Sequence, residues 1–220
     1  NGTVKNNTIN GTSAFGISIP HDTAYNNTIT DNLIYQTASS AIGIAIGTSA
    51  SQARSNTTIR NNNITGTADQ GSGVVLIAAN SFVEQNNITM GGGNTRGIRI
   101  GSSGGLGTDN NTISNNNISG AGYGIRSQEG LSLIVDNNHV SDSVTSGMEF
   151  ISNAATSAKV RGNRIVGSAA GIVIPAGSNA PYFIISNNTI ISTSGTANGI
   201  LLSGSSNVTV LNNSITVSGS

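Results

Sequence analysis

The chain has 220 residues, and Asn (31), Ser (31), Gly (29) and Thr (23) make up more than half of it. Nine basic residues balance nine acidic ones and only 4% of residues are aromatic, so the side chains that neutralise phosphates and stack on bases are scarce. The longest apolar run, residues 74–79, is far too short for a membrane span, and the absence of Cys excludes disulfides and thiolate metal sites. We therefore expect neither nucleic-acid binding nor membrane insertion.

One short pattern recurs along the chain: an apolar residue, two variable residues, Asn, one variable residue, then Ile or Val. In chain order its nine copies are Val4–Ile9, Ala24–Ile29, Ile59–Ile64, Val83–Ile88, Ile113–Ile118, Val135–Val140, Val160–Ile165, Ile185–Ile190 and Val210–Ile215. Every copy has Asn at its fourth position, namely Asn7, Asn27, Asn62, Asn86, Asn116, Asn138, Asn163, Asn188 and Asn213. Such regularity predicts a repeat architecture in which this Asn has a structural role.

A second pattern, Gly, an apolar residue, any residue and usually another apolar residue, lies between successive copies. It begins at Gly16, Gly43, Gly73, Gly97, Gly124, Gly147, Gly171 and Gly199. Apolar alternation rich in Ile and Val, broken by Gly and Asn, predicts short strands and almost no helix. The chain is therefore expected to be all-β: a single-stranded right-handed parallel β-helix, or solenoid, of about nine coils with three short strands each.

The recurring Asn has two expected roles. A sharp bend between strands needs one residue in the left-handed region, which Asn tolerates better than other non-Gly residues. Stacked at the coil repeat of about 4.8 Å, buried Asn amides can also hydrogen-bond to one another. We expect one row of Asn residues to serve both roles and to form an asparagine ladder.

The order Gly-Ile-x-Ile, Asn-Val-x-Val, Asn-x-x-Ile resembles the parallel β-helix repeat of the pectin-lyase-like superfamily. The last coil shows it most fully, in residues 199–202, 207–210 and 212–215. The resemblance covers essentially all of residues 1–220 and implies a single solenoid domain. Members include pectate lyases, polygalacturonases, alginate epimerases, phage tailspikes and non-enzymatic surface proteins, so a polysaccharide is the implied partner. Their catalytic motifs are not matched: neither His lies between glycines, and Pro20-His21-Asp22 lacks the first Asp of the epimerase motif.

The third position of the Gly-Ile-x-Ile strand is expected to point outward. Along the coils this row reads Ser18, Ala45, Val75, Arg99, Arg126, Glu149, Val173 and Leu201. Arg99, Arg126 and Glu149 are therefore predicted neighbours on consecutive coils. Two arginines can bind the carboxylate of an acidic sugar, and Glu149 is the candidate catalytic acid or base. The alternative is a surface ion pair between Arg126 and Glu149, which needs no functional reason.

A second outward row reads Lys5, Tyr25, Arg60, Glu84, Ser114, Asp136, Arg161, Ser186 and Leu211. Arg60 with Glu84 and Asp136 with Arg161 are interpreted as cross-strand charge pairs. His139 and Arg164 occupy equivalent places in consecutive coils. No second His lies near enough in register to complete a metal site, so we expect no metal and no cofactor.

Connection lengths and chain ends give further expectations. The long connections 30–42, 47–58 and 101–112 are interpreted as shaping a binding face, with neutral variation in loop length as the alternative. Neither end looks capped, which favours an interior piece of a longer chain. Outward positions of the last coils become apolar at Val166, Ile191, Val173, Leu201, Ile184 and Leu211. Contiguous apolar surface marks contact, either in a homotrimer through the C-terminal coils or with a covering segment of further sequence.

Together with the resemblance, these observations predict an extracellular, cell-surface or virion-surface β-helix module directed at polysaccharide, as part of a phage tailspike or of a polysaccharide lyase or hydrolase. The rival hypothesis is a non-catalytic fibre, stalk or adhesin in which the solenoid is a rigid spacer. Fold alone does not distinguish them, because function depends on the site.

Overall fold

A computed structural model describes residues 1–20, 25–47, 56–67, 69–101, 108–128, 130, 132–151, 157–176, 182–193, 197–204 and 207–218. Within these ranges the chain forms 26 β-strands and no helix, and therefore no helix long and apolar enough to cross a membrane. The strands lie in three parallel sheets of nine, nine and eight strands.

The strands follow one another in the order sheet A, sheet B, sheet C. Sheet A contains β1 (Thr3–Lys5), β4 (Thr28–Thr30), β7 (Thr58–Arg60), β10 (Phe82–Glu84), β13 (Thr112–Ser114), β16 (Leu133–Asp136), β19 (Ser157–Arg161), β22 (Tyr182–Ser186) and β25 (Val208–Leu211). Sheet B contains β2 (Thr8–Thr12), β5 (Leu33–Gln36), β8 (Asn63–Gly66), β11 (Asn87–Met90), β14 (Asn117–Ser119), β17 (His139–Ser141), β20 (Arg164–Ser168), β23 (Thr189–Ser192) and β26 (Ser214–Val217). Sheet C contains β3 (Phe15–Ile19), β6 (Ile42–Ile46), β9 (Ser72–Leu76), β12 (Arg96–Ile100), β15 (Tyr123–Ser127), β18 (Ser146–Phe150), β21 (Ile172–Ile174) and β24 (Ile200–Leu202).

Each strand pairs with its counterparts in the neighbouring coils, which is the topology of a β-solenoid. In the described residues eight coils carry three strands each and a ninth carries two, close to the predicted nine. The inward Ile and Val of each strand stack along the axis and form one continuous buried core. Three apolar rows facing one another bury the hydrophobic side of every sheet, which explains why three short strands per coil suffice.

The predicted register of the second coil is wrong. Ile29 lies in sheet A, where it pairs with Val4 on one side and Ile59 on the other. The second copy of the repeat is therefore Ile29–Ile34, and not Ala24–Ile29. Both stretches satisfy the sequence pattern, and strand pairing selects the later one because a five-residue shift moves the pattern from one sheet to the next.

The asparagine ladder is confirmed, with Asn32 in the place expected for Asn27. Nδ2 of Asn7 donates to Oδ1 of Asn32 at 3.0 Å, and Nδ2 of Asn32 donates to Oδ1 of Asn62 at 2.9 Å. The ladder then continues in the same way through Asn86, Asn116, Asn138, Asn163, Asn188 and Asn213. An unbroken series of hydrogen bonds between side-chain amides at one corner fixes the angle between sheets A and B in every coil.

The left-handed residue at this corner is not the ladder asparagine, contrary to expectation. It is the residue before it, with φ between 49° and 65° in all nine coils. These residues are Asn6, Asp31, Asn61, Gln85, Asn115, Asn137, Gly162, Asn187 and Asn212. The left-handed bend and the amide ladder are thus provided by two adjacent residues. The bend comes first, because it directs the following asparagine side chain inward.

The predicted long connection 30–42 is also wrong, because it contains the sheet B strand β5 (Leu33–Gln36). This error followed from the misplaced second copy of the repeat: with that copy at Ala24–Ile29, no sequence pattern predicted a strand at residues 33–36. The connections 47–58 and 101–112 lie largely outside the described residues, as do His21 and Asp22.

Candidate functional site

The outward row of sheet C has the predicted order. Arg99 pairs in register with Val75 on one side and Arg126 on the other, and Arg126 pairs with Glu149. Val75 is nearly fully buried, and the row becomes apolar again at Val173. The charged residues therefore occupy three consecutive coils, with apolar positions before and after them.

Arg126 and Glu149 form a half-buried ion pair. Arg126 Nε lies 2.7 Å from Glu149 Oε2, with side-chain exposures of 17% and 14%. The N–H does not point along this line, so neither atom has a well-aligned hydrogen bond despite the short distance. The ion pair predicted as the alternative interpretation is thus present.

Sequence reasoning missed two members of this site, Arg96 and Tyr123. They are register partners on β12 and β15, at the position just before the Gly of the repeat. The Arg126 guanidinium carbon lies 4.4 Å from the centroid of the Tyr123 ring, within the range of a cation–π contact. The signal was available in the sequence: both residues precede a repeat glycine, in the coils that carry Arg99 and Arg126.

Arg96, Arg99, Tyr123, Arg126 and Glu149 together form the sheet C cluster. Arg99 Nε donates to Oε1 of Gln128 at 3.0 Å, which holds its guanidinium beside the row. Burial lowers the pKa of Arg96, and the positive charges of Arg126 and Arg99 lower it further. The described residues of the cluster are thus three arginines, a tyrosine and a glutamate, and guanidinium groups are the side chains best suited to binding carboxylates.

One of the two charge pairs predicted on sheet A is present: Arg161 Nη2 lies 3.1 Å from Asp136 Oδ2. Arg60 and Glu84 are register neighbours, but they are not among the ion pairs of the described residues. Thr30, and not Tyr25, continues the row from Lys5, which is the consequence of the shifted second coil.

His139 and Arg164 are register partners on sheet B, as predicted. No group of three or more His, Cys, Asp or Glu side chains suited to a metal ion occurs in the described ranges. The sheet C cluster itself contributes guanidinium, phenol and carboxylate groups; guanidinium groups can bind anions, and a carboxylate can accept or donate a proton.

Comparison with known families agrees with this architecture. The profile of the family described as right-handed β-helix region matches residues 50–215, about three quarters of the chain. No curated protein gives a significant match. The matched segment includes all five residues of the sheet C cluster, together with the coils on either side of it. The chain therefore belongs to the right-handed β-helix family.

Proposed function

We propose that this β-helix is a surface-exposed, extracellular or virion-borne module that binds acidic polysaccharide through the sheet C cluster. The observation that carries the proposal is the grouping of three half-buried arginines, Arg96, Arg99 and Arg126, on two neighbouring strands of sheet C. Burial and the charges of Arg126 and Arg99 lower the pKa of Arg96, so the charged form of Arg96 is disfavoured in the empty site. An anion bound beside Arg96 would stabilise that charged form, which supports anion binding at the cluster.

The solenoid supplies a second requirement of polymer recognition, a regular spacing. The backbones that carry Arg99, Arg126 and Glu149 repeat at about 4.8 Å along the axis, and the strip extends across three coils. A sugar carboxylate bound at Arg99 would leave Arg126 and Arg96 facing adjacent parts of the chain. The half-buried ring of Tyr123 adds an amphipathic group beside them.

Binding is tested by titrating the protein with acidic oligosaccharides and with the same oligosaccharides after methyl esterification of their carboxylates. Substituting both Arg99→Ala and Arg126→Ala should weaken binding of the acidic form by roughly a hundredfold or more. The matched control is the double variant Arg60→Ala and Arg164→Ala, which removes two exposed arginines elsewhere and should bind as the wild type does. Equal affinity of both double variants would contradict the proposal.

We further propose Glu149 as the acid or base if bound polysaccharide is cleaved, since it is the one carboxylate among the described residues of the cluster. Glu149→Gln should then keep affinity and lose cleavage, while Glu84→Gln on sheet A should keep both. Binding without cleavage by the wild type across uronic-acid polymers would assign the module an attachment role. Absence of binding across the same panel would favour the rigid-spacer hypothesis of a fibre or stalk.

A further inference from the structure

A groove on the outer face of sheet A is independent of the sheet C cluster. It has a volume of about 310 Å³ and crosses three coils at strands β16, β19 and β22. Two outward rows line it: Ser132, Ser157 and Tyr182 in one, and Ile134, Lys159 and Ile184 in the other. Residues in one row repeat at about 4.8 Å and the rows lie roughly 6.6 Å apart, so the groove presents a compact surface of six side chains.

The groove exposes an aromatic ring beside an apolar side chain. Tyr182 is 69% exposed and Ile184, two residues further along the same strand, is 39% exposed. Ser157 lies beside Tyr182 in the neighbouring coil, and its Oγ accepts a hydrogen bond from the Ser132 backbone N–H at 2.8 Å. The Ser157 hydroxyl proton can therefore be donated outward, next to a flat apolar ring. A sugar ring has matching chemistry, with C–H groups on its face and hydroxyls on its edge.

The charge in the groove selects among sugars. Lys159 lies between Ile134 and Ile184 in register and forms none of the ion pairs found among the described residues. The neighbouring carboxylate of Asp136 is already paired with Arg161 at 3.1 Å. The ammonium group is thus the uncompensated charge at the centre of the groove, which favours an anionic ligand.

We propose that the sheet A groove is a second carbohydrate site, which binds one acidic sugar unit. The Tyr182 ring stacks on the face of the sugar, Lys159 binds its carboxylate, and the Ser157 hydroxyl donates to a ring substituent. This site lies on a different sheet from the sheet C cluster and does not depend on that cluster.

The test is a titration followed by amide NMR spectra, with a panel of uronic-acid oligosaccharides and their methyl-esterified counterparts as probes. The acidic forms should shift the amide signals of Ser157, Lys159 and Ile184, and the esterified forms should shift them less. Tyr182→Ala should weaken this binding roughly tenfold, and Lys159→Gln roughly two- to fivefold with loss of its salt dependence. Tyr35→Ala on sheet B and Lys5→Gln in the first coil are matched controls that should leave the affinity unchanged.

Two controls separate this site from the proposed function and from self-association. In the Arg99→Ala/Arg126→Ala variant the groove signals should still shift, even where binding at sheet C is lost. Groove amides that respond to no acidic sugar in the panel, or equal effects of Tyr182→Ala and Tyr35→Ala, would overturn the proposal. If no sugar shifts the amide signals of the groove and Tyr182→Ala lowers the sedimentation coefficient, the groove is instead a contact between copies of this chain.

Discussion

At the residue scale, the corner between sheets A and B divides two tasks between two adjacent asparagines. Asn138 is buried, and its Nδ2 donates to the backbone oxygen of Ile113 at 2.9 Å and to Oδ1 of Asn163 at 3.0 Å. Its Oδ1 in turn accepts from the backbone N and Nδ2 of Asn116. Asn137, with φ 54°, makes the turn itself. The ladder side chain satisfies buried polar groups, and its neighbour satisfies the backbone geometry.

Replacing Asn138 with Leu should therefore destabilise the fold by roughly 1–3 kcal/mol, because the amides above and below it lose their partners in a buried setting. Thr89→Ser, at an exposed position on sheet B, is the control and should have little effect. The free energy of unfolding in urea measures both. Equal unfolding midpoints for the two variants would contradict the role given to the ladder.

A separate substitution isolates the turn from the ladder. Asn137→Ala should cost about 1 kcal/mol, because Ala keeps the Cβ that the left-handed region disfavours but lacks the short polar side chain that lets Asn adopt it, while Asn137→Gly should cost less. Since Gly162 already occupies this place one coil later, glycine is compatible with the corner. A lower free energy of unfolding for Asn137→Gly than for Asn137→Ala would show that the left-handed backbone conformation is not what the position requires.

At the element scale, the repeat glycine sets how closely sheet C approaches sheet B. A Cβ added at Gly73 would lie 2.5 Å from Cγ2 of Ile88 on sheet B and 2.7 Å from the backbone oxygen of Gly97 in the next coil. Neither atom can move away, because one belongs to the stacked core and the other to the sheet ladder. The first residue of the Gly-Ile-x-Ile pattern is thus required by packing, and not by a left-handed conformation.

Gly73→Ala should accordingly destabilise the protein by roughly 1–3 kcal/mol through overpacking. Gly93→Ala is the matched control: its added Cβ would meet only Val144 Cγ1 at 3.8 Å, an ordinary contact. Thermal unfolding followed by circular dichroism compares the two variants. A melting temperature lowered equally in both would show that loss of glycine, and not the approach of the sheets, is responsible.

At the scale of the whole molecule, the outer surface changes along the axis. Val166 pairs with Ile191 on sheet B and Val173 pairs with Leu201 on sheet C, so apolar side chains adjoin in the last coils. On sheet A, Leu211 is 49% exposed. The corresponding positions of earlier coils carry mostly polar residues, such as Thr89 on sheet B. The predicted apolar positions therefore lie on all three sheets in the last described coils.

We propose that these coils mediate self-association in a homotrimer, with a covering segment of further sequence as the alternative. Sedimentation should show concentration-dependent association of the wild type, and the double variant Ile191→Ser/Leu201→Ser should remain monomeric. Tyr35→Ser, which removes an exposed apolar side chain from an early coil, should associate as the wild type does. A wild type that stays monomeric at high concentration would contradict this proposal.

The sequence alone determined the all-β solenoid, its three strands per coil, the asparagine ladder and the order Arg99, Arg126, Glu149. It could do so because strand alternation has a period of two and each coil stacks on the next, so position in the repeat fixes both the face and the neighbours of a residue. The family match agrees with that inference.

Only the tertiary structure decided the register of the second coil, where two overlapping copies of the repeat compete and pairing of Ile29 with Val4 selects one. The structure also shows that the left-handed residue is the one before the ladder asparagine, because backbone geometry and side-chain hydrogen bonding are separate constraints. Finally, the structure places Arg96 and Tyr123 in the sheet C cluster and reveals the sheet A groove. Both features arise between coils, from side chains more than twenty residues apart in sequence, and a pattern read within one coil does not contain them.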